Sequence, residues 1–158
     1  NQVNTRDVAF VVGNTFVVSP MRKPERMNEH YALETLIKSF SDEDRVLRPK
    51  MGFIEGGDII LDETTMYVGI SQRTNDEGLR WLIETFSSDF NVVPVYLNEG
   101  YLHLDCVFNL LSSTDALVLE PGIRSDSLQK LTENTASKVK CTVMKMVKTY
   151  RSRYILLI

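Results

Sequence analysis

The sequence predicts an α/β protein built from one unit that is used three times, and three observations support this prediction. First, three stretches combine an acidic residue, an apolar strand, a tight turn and a second apolar strand. Second, apolar residues at helical spacing follow the first two of these hairpins. Third, the units recur at a period that is typical of propellers and solenoids. We therefore predict a hairpin, a helix and a returning strand in each unit.

The three hairpins begin after Asp7, Asp58 and Asp105. Their predicted strands are residues 8–12 with 16–19, 59–61 with 66–71, and 106–108 with 116–119. Each pair of strands is joined by a short turn rich in polar residues or glycine. Because the acidic residues stand at equivalent strand ends, we expect them to converge on one central site.

Helices and a returning strand are predicted between the hairpins. Two sets of apolar residues follow the spacing i, i+3, i+4, i+7 of one buried helix face: Leu33, Leu36, Ile37 and Phe40, then Leu79, Leu82, Ile83 and Phe86. Asn75 is predicted to cap the second helix, which carries residues 78–86. Residues 92–97 read as the returning strand, and Pro94 favours an edge position or a strand start.

The stretch 53–58 carries the clearest chemical signal. Glu55 and Asp58 flank Gly56 and Gly57 at the mouth of an apolar strand. Glycine allows a sharp turn or the close approach of a ligand, and two carboxylates suit a cationic ligand that has to be held. Taken alone, the stretch also fits a hairpin turn with solvated acids. The recurrence of the pattern favours a binding site.

A second candidate cluster is His103 with Asp105. If this stretch is a regular strand, His103 and Asp105 share one face and Leu104 and Cys106 share the other. Cys106 would then be a small buried apolar residue and not a nucleophile. A histidine near an acid at the convergent end of a repeat is a general-base candidate.

Composition fits a single globular domain with a substantial core. No signal peptide and no apolar run of membrane-spanning length is present, so no membrane association is predicted. The two cysteines form no disulfide framework or metal motif, which favours a reducing, cytoplasmic location. Two histidines cannot form a zinc site unaided. We predict neither a metal nor a cofactor.

Charge divides the chain into a predicted domain, 1–137, and a basic tail, 138–158. The tail carries six positive charges and no acid, while the rest of the chain carries a net charge of -9. Two interpretations stay open for the tail. The favoured one is a segment unrelated to the repeats, from a frame change or a chimeric join; the other is an adaptation to an acidic partner. Nucleic-acid binding is not predicted, because few aromatic residues accompany the charges.

Four motifs together resemble those of the guanidine-modifying superfamily, which includes arginine deiminase, dimethylarginine dimethylaminohydrolase and the amidinotransferases. The motifs are Thr5-Arg6-Asp7, Glu55-Gly56-Gly57-Asp58, Ser71-Gln72-Arg73-Thr74-Asn75 and His103-Leu104-Asp105. They lie within residues 4–122, in the superfamily's order and spacing. The resemblance implies a five-bladed α/β-propeller (the pentein fold) around a central pore, of which this chain would form a part.

The resemblance also implies roles for individual residues and a small arginine-like guanidine as partner. Catalytic roles fall to His103, Glu55 and Asp105, and substrate-binding roles to Asp7, Arg73 and Asp58. Asp7 and Glu55 would hold the substrate guanidinium. His103 would move protons to the leaving amine and from the attacking water, and Asp105 would orient the site or bind substrate. Arg73 would receive the substrate α-carboxylate, with Arg22 and Arg26 as weaker candidates.

The nucleophile is the part of the resemblance that this sequence lacks. Members of the superfamily attack the guanidino carbon with a cysteine that follows a glycine-rich motif near the C-terminus. No glycine follows Gly122, and Cys141 lies among lysines, so neither Cys106 nor Cys141 is assigned this role. Two hypotheses result: a thiol-dependent hydrolase or amidinotransferase, and a non-catalytic guanidine binder or truncated fragment. An incomplete propeller would expose strand edges and apolar surface, which predicts self-association.

Overall fold

The computed structural model describes residues 5–39, 45–112, 115–135, 140–143, 146–148 and 154–156, with side chains for 5–39, 45–112 and 115–131. Its α-helices are α1 (Thr5–Val8), α2 (Glu34–Ile37), α3 (Asp76–Phe86) and α4 (Ser125–Thr135). Its strands are β1 (Ala9–Val12), β2 (Thr15–Val18), β3 (Val46–Leu47), β4 (Ile59–Asp62), β5 (Thr65–Ile70), β6 (Asn91–Tyr96), β7 (Phe108–Leu110), β8 (Asp115–Val118), β9 (Lys140–Val143), β10 (Met146–Lys148) and β11 (Tyr154–Leu156). Short 3₁₀ turns cover Pro24–Arg26, Glu29–Leu33, Gly56–Asp58, Leu104–Cys106 and Glu120–Gly122.

The predicted unit is confirmed, because three sheets share one strand pattern. Their strand orders are β1-β2-β3, β4-β5-β6 and β7-β8-β9. In each sheet the first two strands form an antiparallel hairpin, and the third strand runs parallel to the second. A helix lies between the second and third strand of each unit, as a parallel crossover requires. Strands β10 and β11 form a separate antiparallel pair.

Two hydrophobic clusters join neighbouring units. The first combines residues of β1, β2, β4, β5 and α3, with Ile54, Met66 and Leu82 fully buried. The second combines residues of β4 to β8 and α4, and here Tyr67 meets Phe108 edge to face at 5.2 Å between ring centroids. Burial of apolar area supplies the main favourable free energy of folding. The units are therefore packed through shared cores and do not stand alone.

Helix α3 begins where the sequence predicts. The Asn75 side chain accepts a hydrogen bond from the Gly78 N–H at 3.1 Å, which confirms it as the N-cap. The same oxygen also accepts the Phe53 N–H at 2.8 Å. Asn75 thus links the start of α3 to the segment that leads into Glu55.

The first predicted helix differs from the prediction. Residues Glu29–Leu33 form a 3₁₀ turn, and regular α-helix is limited to Glu34–Ile37. The 3₁₀ turn has three residues per turn, so the predicted face is not kept: Ile37 is buried but Leu36 is exposed. Phe40, which was expected on the same face, lies outside the described residues.

Strand β9 lies in the third sheet, although its residues belong to the predicted basic tail, 138–158. Strand β9 pairs in parallel with β8, so that Asp115 faces Lys140 and Val118 faces Val143. Strand β6 has the same position in the second unit. The side chain of Cys141 lies outside the described part. Among the described helices, none has both the length and the apolar character needed to cross a membrane.

Candidate functional site

Three short helical turns meet at one end of the molecule. They are α1, the 3₁₀ turn Gly56–Asp58 and the 3₁₀ turn Leu104–Cys106, and each comes just before the first strand of its unit. The glycine pair makes this approach feasible. A Cβ atom on Gly57 would lie 2.8 Å from His103 Cγ and 3.0 Å from Asp7 Oδ1, and one on Gly56 would collide with the Arg6 carbonyl oxygen. The glycines therefore admit the neighbouring turns.

Asp7, Glu55 and His103 form a buried cluster between these turns, and together with Arg26 and Arg73 they make up the site that we call the cleft. Only 5%, 0% and 4% of their surfaces are exposed, respectively. His103 Nε2 lies 2.9 Å from Glu55 Oε2, and His103 Nδ1 lies 3.9 Å from Asp7 Oδ1. Three residues that sequence reasoning selected from three separate units are thus brought together.

The electrostatics of this centre favour an ionised Glu55 beside a protonated His103. Burial alone would raise the pKa of Glu55, but the hydrogen bond with His103 and the charge of Arg73 hold that pKa below its ordinary value. Burial alone would lower the pKa of His103. The hydrogen bond with Glu55 and the charges of Asp58 and Asp7 raise it instead.

The guanidinium of Arg26 occupies the space between the two carboxylates. Its Nη1 lies 2.9 Å from Asp7 Oδ2 and 3.4 Å from Glu55 Oε2. Its other two nitrogens form a fork on Glu29, with Nε 3.0 Å from Oε1 and Nη2 2.9 Å from Oε2. The Glu29 hydrogen bond raises the pKa of Arg26 above its ordinary value, even though burial opposes this effect. Arg26 thus stays charged in the cleft.

A second guanidinium approaches Glu55 from another side. Arg73 Nη1 lies 3.1 Å from Glu55 Oε1 and 3.2 Å from Oε2. Its Nε is buried and has no hydrogen-bond partner among the described residues. Arg22, a weaker candidate from the sequence, donates from Nη1 to the Gln72 carbonyl oxygen at 3.1 Å and lies over the Phe53 ring.

Asp58 supports the cleft from within the protein. Its Oδ1 accepts the Leu104 N–H at 2.9 Å, while Oδ2 accepts the hydroxyls of Ser71 and Thr74 at 2.8 and 2.7 Å. Thr74 Oγ1 in turn accepts the Glu55 N–H at 3.1 Å. Burial raises the pKa of Asp58 to about 6. Sequence analysis expects a substrate contact here, but Asp58 is fully buried and both of its oxygens have internal partners.

The prediction that Cys106 is buried on a strand is wrong, because Leu104–Cys106 is a 3₁₀ turn. Without strand alternation, His103 and Leu104 are both buried, and Cys106 is exposed. Partial desolvation of the thiol and the nearby carboxylate of Asp105 raise the pKa of Cys106. Asp105 is half-buried, and its Oδ2 lies 3.4 Å from Arg6 Nη1. Asp105 follows His103 by two positions in the sequence, but its ion pair is with Arg6 and not with His103.

The carboxylates of Asp7 and Glu55 and the ring of His103 could in principle ligate a metal ion, since their ligand atoms lie within 4.8 Å of one another. The same oxygens accept hydrogen bonds from Arg26 and Arg73. A metal ion that used these oxygens as ligands would have to displace both guanidinium groups. The donor set therefore suits a guanidinium better than a metal ion.

Sequence reasoning missed Glu29 and gave Arg26 only a minor place. A signal for the pair exists, because Arg26 and Glu29 have the i, i+3 spacing of interacting side chains on a helical turn. The supporting hydroxyls of Ser71 and Thr74 lie within a motif from which the sequence predicts roles for Arg73 and Asn75 only. Their role depends on a contact across units, which local spacing does not reveal.

The site combines buried carboxylates around a guanidinium, a histidine on one of them, and contributions from three hairpin–helix–strand units. This arrangement is the one that the resemblance to the guanidine-modifying superfamily implies. The family model described as arginine deiminase matches residues 1–155. The chain belongs to this family.

Known proteins similar to the chain agree with this assignment. An uncharacterized protein of Bacillus subtilis (strain 168), YkgA, is 41% identical over 132 residues, which are 82% of this chain and 44% of that protein. An arginine deiminase of Listeria monocytogenes is 31% identical over 137 residues, covering 77% of this chain and 32% of the enzyme. The chain therefore spans less than half the length of these curated relatives.

Solved structures show the shared fold. SxtG, an amidinotransferase from Microseira wollei in the saxitoxin biosynthetic pathway, matches with a TM-score of 0.76 at 18% sequence identity. The match covers 97% of this chain and 52% of that chain. The α/β architecture predicted from the repeats is thus the one found in a protein of this superfamily.

Proposed function

We propose that this chain provides the guanidinium-binding and proton-transfer part of an arginine deiminase-like site. Asp7 and Glu55 bind the guanidinium of a small arginine-like molecule, and His103 moves protons. One observation carries the proposal: these two carboxylates already hold a guanidinium, that of Arg26, at 2.9 and 3.4 Å. A cleft that accepts this group from a side chain has the shape and charge to accept it from a ligand.

The arrangement supports an orienting role for the two carboxylates. A planar cation that is bound by two carboxylates from different directions is fixed in orientation as well as in position. Glu55 is fully buried, so an ionised Glu55 needs a cationic partner. Arg26 and Arg73 are such partners in this structure, and a substrate guanidinium would take the place of Arg26.

His103 is the proton carrier in this proposal. Hydrolysis of a guanidine replaces one amine by water at the guanidino carbon, so a proton has to reach the departing nitrogen and another has to leave the attacking water. His103 has a raised pKa and a hydrogen bond to Glu55, so it holds a proton for the first step. After that step it is a base for the second. Amidino transfer needs the same two proton movements, with an amine in place of water.

A second candidate function is guanidine binding without turnover. The exposed thiol of Cys106 favours it, because the raised pKa keeps this thiol protonated and therefore weakly nucleophilic. The cleft itself would be unchanged in such a protein. The two candidates differ in the fate of the bound guanidine and not in its recognition.

The wider setting belongs to the same proposal. Three units with one strand pattern fit part of a five-bladed propeller, in which the remaining units would complete the ring around the cleft. The matched proteins are about twice to three times as long as the matched segment.

Two further parts of the proposal concern the substrate and the location. Arg73 would contact the far end of the substrate once the guanidinium is bound. The location of the protein would be cytoplasmic.

Calorimetric titration with L-arginine tests the proposal. We expect binding to the purified chain, and a loss of at least about tenfold in affinity for Glu55→Gln, which removes a charge-assisted contact. Glu84→Gln, on the exposed face of α3, is the matched control and should bind as the parent does. Release of citrulline or transfer of the amidino group, assayed alongside, separates the two candidate functions.

Folded parent protein that does not bind arginine would overturn the proposal. Turnover that Cys141→Ser abolishes would exclude the binding-only candidate and would assign the nucleophile to a residue that sequence reasoning set aside. Arginine binding that Glu55→Gln removes, without turnover in the parent, would favour the binding-only candidate.

A further inference from the structure

Arg26 directs its guanidinium inward from a largely exposed segment, residues 22–31. Its neighbours Arg22, Lys23, Glu25 and Met27 are all exposed, and the two 3₁₀ turns of this segment contain no buried residue. The Arg26 side chain, in contrast, is only 15% exposed. The Arg26 guanidinium therefore links this segment directly to Asp7 and Glu55.

The contacts of Arg26 divide into a local pair and a distant pair. The fork on Glu29 joins residues three positions apart on the same segment. The contacts to Asp7 and Glu55 both use Nη1 and join residues 19 and 29 positions away. Arg26 can give up the distant contacts while the fork on Glu29 keeps the cation paired. Leaving the cleft does not require the segment to unfold, because its backbone turns close locally.

We propose that Arg26 is a resident guanidinium that closes the cleft, and that a ligand enters by exchanging its own guanidinium for that of Arg26. The inference rests on the proposed function, since it concerns the same two carboxylates. The Arg26 guanidinium lies between Asp7 Oδ2 and Glu55 Oε2, so a ligand guanidinium that joins these two oxygens has to take its place. The closed state keeps both buried carboxylates paired when no ligand is present.

Exchange has a direct consequence for affinity. The open state is only a fraction of the population, so the apparent affinity of any ligand is reduced by that fraction. The ligand guanidinium replaces that of Arg26 and makes similar contacts, so the exchange in the cleft adds little to the free energy of binding. The contacts of Arg26 with Asp7 and Glu55 both use one nitrogen. A compact cation such as methylammonium could fill that position, but it lacks the further N–H groups that a guanidinium holds in one plane. We therefore expect the open cleft to bind a guanidine more tightly than an ammonium ion.

Binding of methylguanidine to Arg26→Gln tests the exchange. This variant cannot fill the cleft with a cation, so we expect at least about tenfold tighter binding than in the parent. Lys23→Gln is the matched control, since it removes an exposed positive charge from the same segment, and its affinity should equal that of the parent. Methylammonium should gain much less than methylguanidine, which separates guanidine recognition from a general gain in negative charge. Adding Glu55→Gln to Arg26→Gln should remove the binding.

A second measurement uses the parent chain. The Nη–H resonances of Arg26 should move during a titration with methylguanidine, because Nη1 loses its contacts with Asp7 and Glu55. Equal or weaker binding by folded Arg26→Gln, or ligand binding with unmoved Arg26 resonances, would overturn the exchange and leave the proposed function intact. No binding by either the folded parent or Arg26→Gln would overturn both proposals.

Discussion

At the scale of single residues, the cleft depends on how charge is balanced around Glu55. This carboxylate is fully buried and contacts His103, Arg73 and Arg26. Removing one partner from a buried ionic group leaves uncompensated charge, which costs more than an exposed pair contributes. Substitutions here should therefore affect both the free energy of unfolding and ligand affinity, and pH is a way to vary the balance without changing a residue.

The first prediction concerns the pH dependence that His103 gives to stability. Its folded-state pKa lies above the ordinary value of 6.5. The stabilising contribution is therefore fully present below pH 6.5 and is lost as the pH rises through the folded-state pKa. We expect His103→Gln to lower the free energy of unfolding by about 1–3 kcal/mol at pH 6 and by less at pH 9. Urea unfolding at a series of pH values measures both differences.

At acidic pH, the stability that the His103–Glu55 pair contributes depends on the ionisation of Glu55. Its pKa is held below 4.5, so its contribution is present above pH 4.5 and is lost as the pH falls through the folded-state pKa. His30→Gln, on an exposed turn, is the control and should not change the pH profile. A His103 ring that titrates at or below pH 6.5 by NMR would contradict the prediction.

Site residues are predictable from the sequence where they lie in a recognisable motif. They are less predictable where their role depends on contacts between distant parts of the chain. Asp7, Glu55 and His103 were selected because acids and a histidine stand at repeated strand mouths. Cys106 was placed wrongly, because alternation was assumed for a stretch that forms a 3₁₀ turn. Arg26 was underrated, since nothing in its local pattern shows that it reaches carboxylates 19 and 29 positions away.

At the scale of elements, the three turns before β1, β4 and β7 decide whether the cleft forms. Their backbones come close enough that a single added methyl group would intrude. The second prediction is that Gly57→Ala lowers arginine affinity by at least about tenfold, because its Cβ would lie 2.8 Å from the His103 ring, a separation that forces side chains to shift. Calorimetric titration of the folded variant measures the loss.

Gly100→Ala is the control for this substitution. Gly100 has a φ of 92° and open surroundings, so alanine there strains the backbone without touching the cleft. It should reduce stability and leave affinity unchanged. Unchanged affinity in Gly57→Ala would show that the turns tolerate more separation than their contacts indicate.

The third prediction concerns Asp58, which joins the second and third turns. Asparagine at this position keeps one acceptor but cannot accept both the hydroxyls and the Leu104 N–H. We expect Asp58→Asn to lower the free energy of unfolding by about 1–3 kcal/mol at pH 4. Arginine affinity should fall as well, since Asp58 positions both His103 and Glu55.

This effect should shrink as the pH rises. The folded-state pKa of Asp58 is about 6 against an ordinary 3.8, so the native protein retains a proton that the unfolded chain loses. As the pH rises between these two values, the free energy of unfolding of the parent falls by about 3 kcal/mol, which corresponds to the rise in the pKa of Asp58. Asp58→Asn has no ionisable group at this position, so its stability does not fall in this way. A difference between parent and variant that grows from pH 4 to pH 7 would contradict the assignment of a buried, hard-to-ionise Asp58.

Elements with strong local signals were predictable from the sequence. The hairpins, the returning strand β6 and helix α3 with its Asn75 cap follow from alternation, helical spacing and cap chemistry. The segment before α2 was not, because its apolar spacing fits an α-helix while its backbone forms a 3₁₀ turn. Strand β9 was hidden by a change in charge, which carries no information about strand pairing.

At the scale of the whole molecule, the first strand of each unit lies at the edge of its sheet. Val11 on β1 and Leu61 on β4 are 54% and 36% exposed there. Unpaired edges with apolar side chains favour association with other chains. The fourth prediction is that the chain self-associates and that Val11→Lys with Leu61→Lys shifts it towards monomer in size-exclusion chromatography with light scattering.

Ile83→Lys is the matched control for these edge substitutions. Ile83 is similarly exposed but lies on α3, away from the edges. It should leave the association state as it is in the parent. A parent chain that elutes as a monodisperse monomer would contradict the prediction directly.

The three central groups of the cleft, Asp7, Glu55 and His103, follow one another at intervals of 48 residues. No single unit contains two of them, so refolding has to close two long loops before the cleft exists. Loop closure costs chain entropy that hairpins joined by short turns largely avoid, and distant contacts slow folding. During refolding the hairpins should form early, and the capacity to bind arginine should return last. The time course of that capacity would therefore report the docking of all three units and not the formation of any one of them.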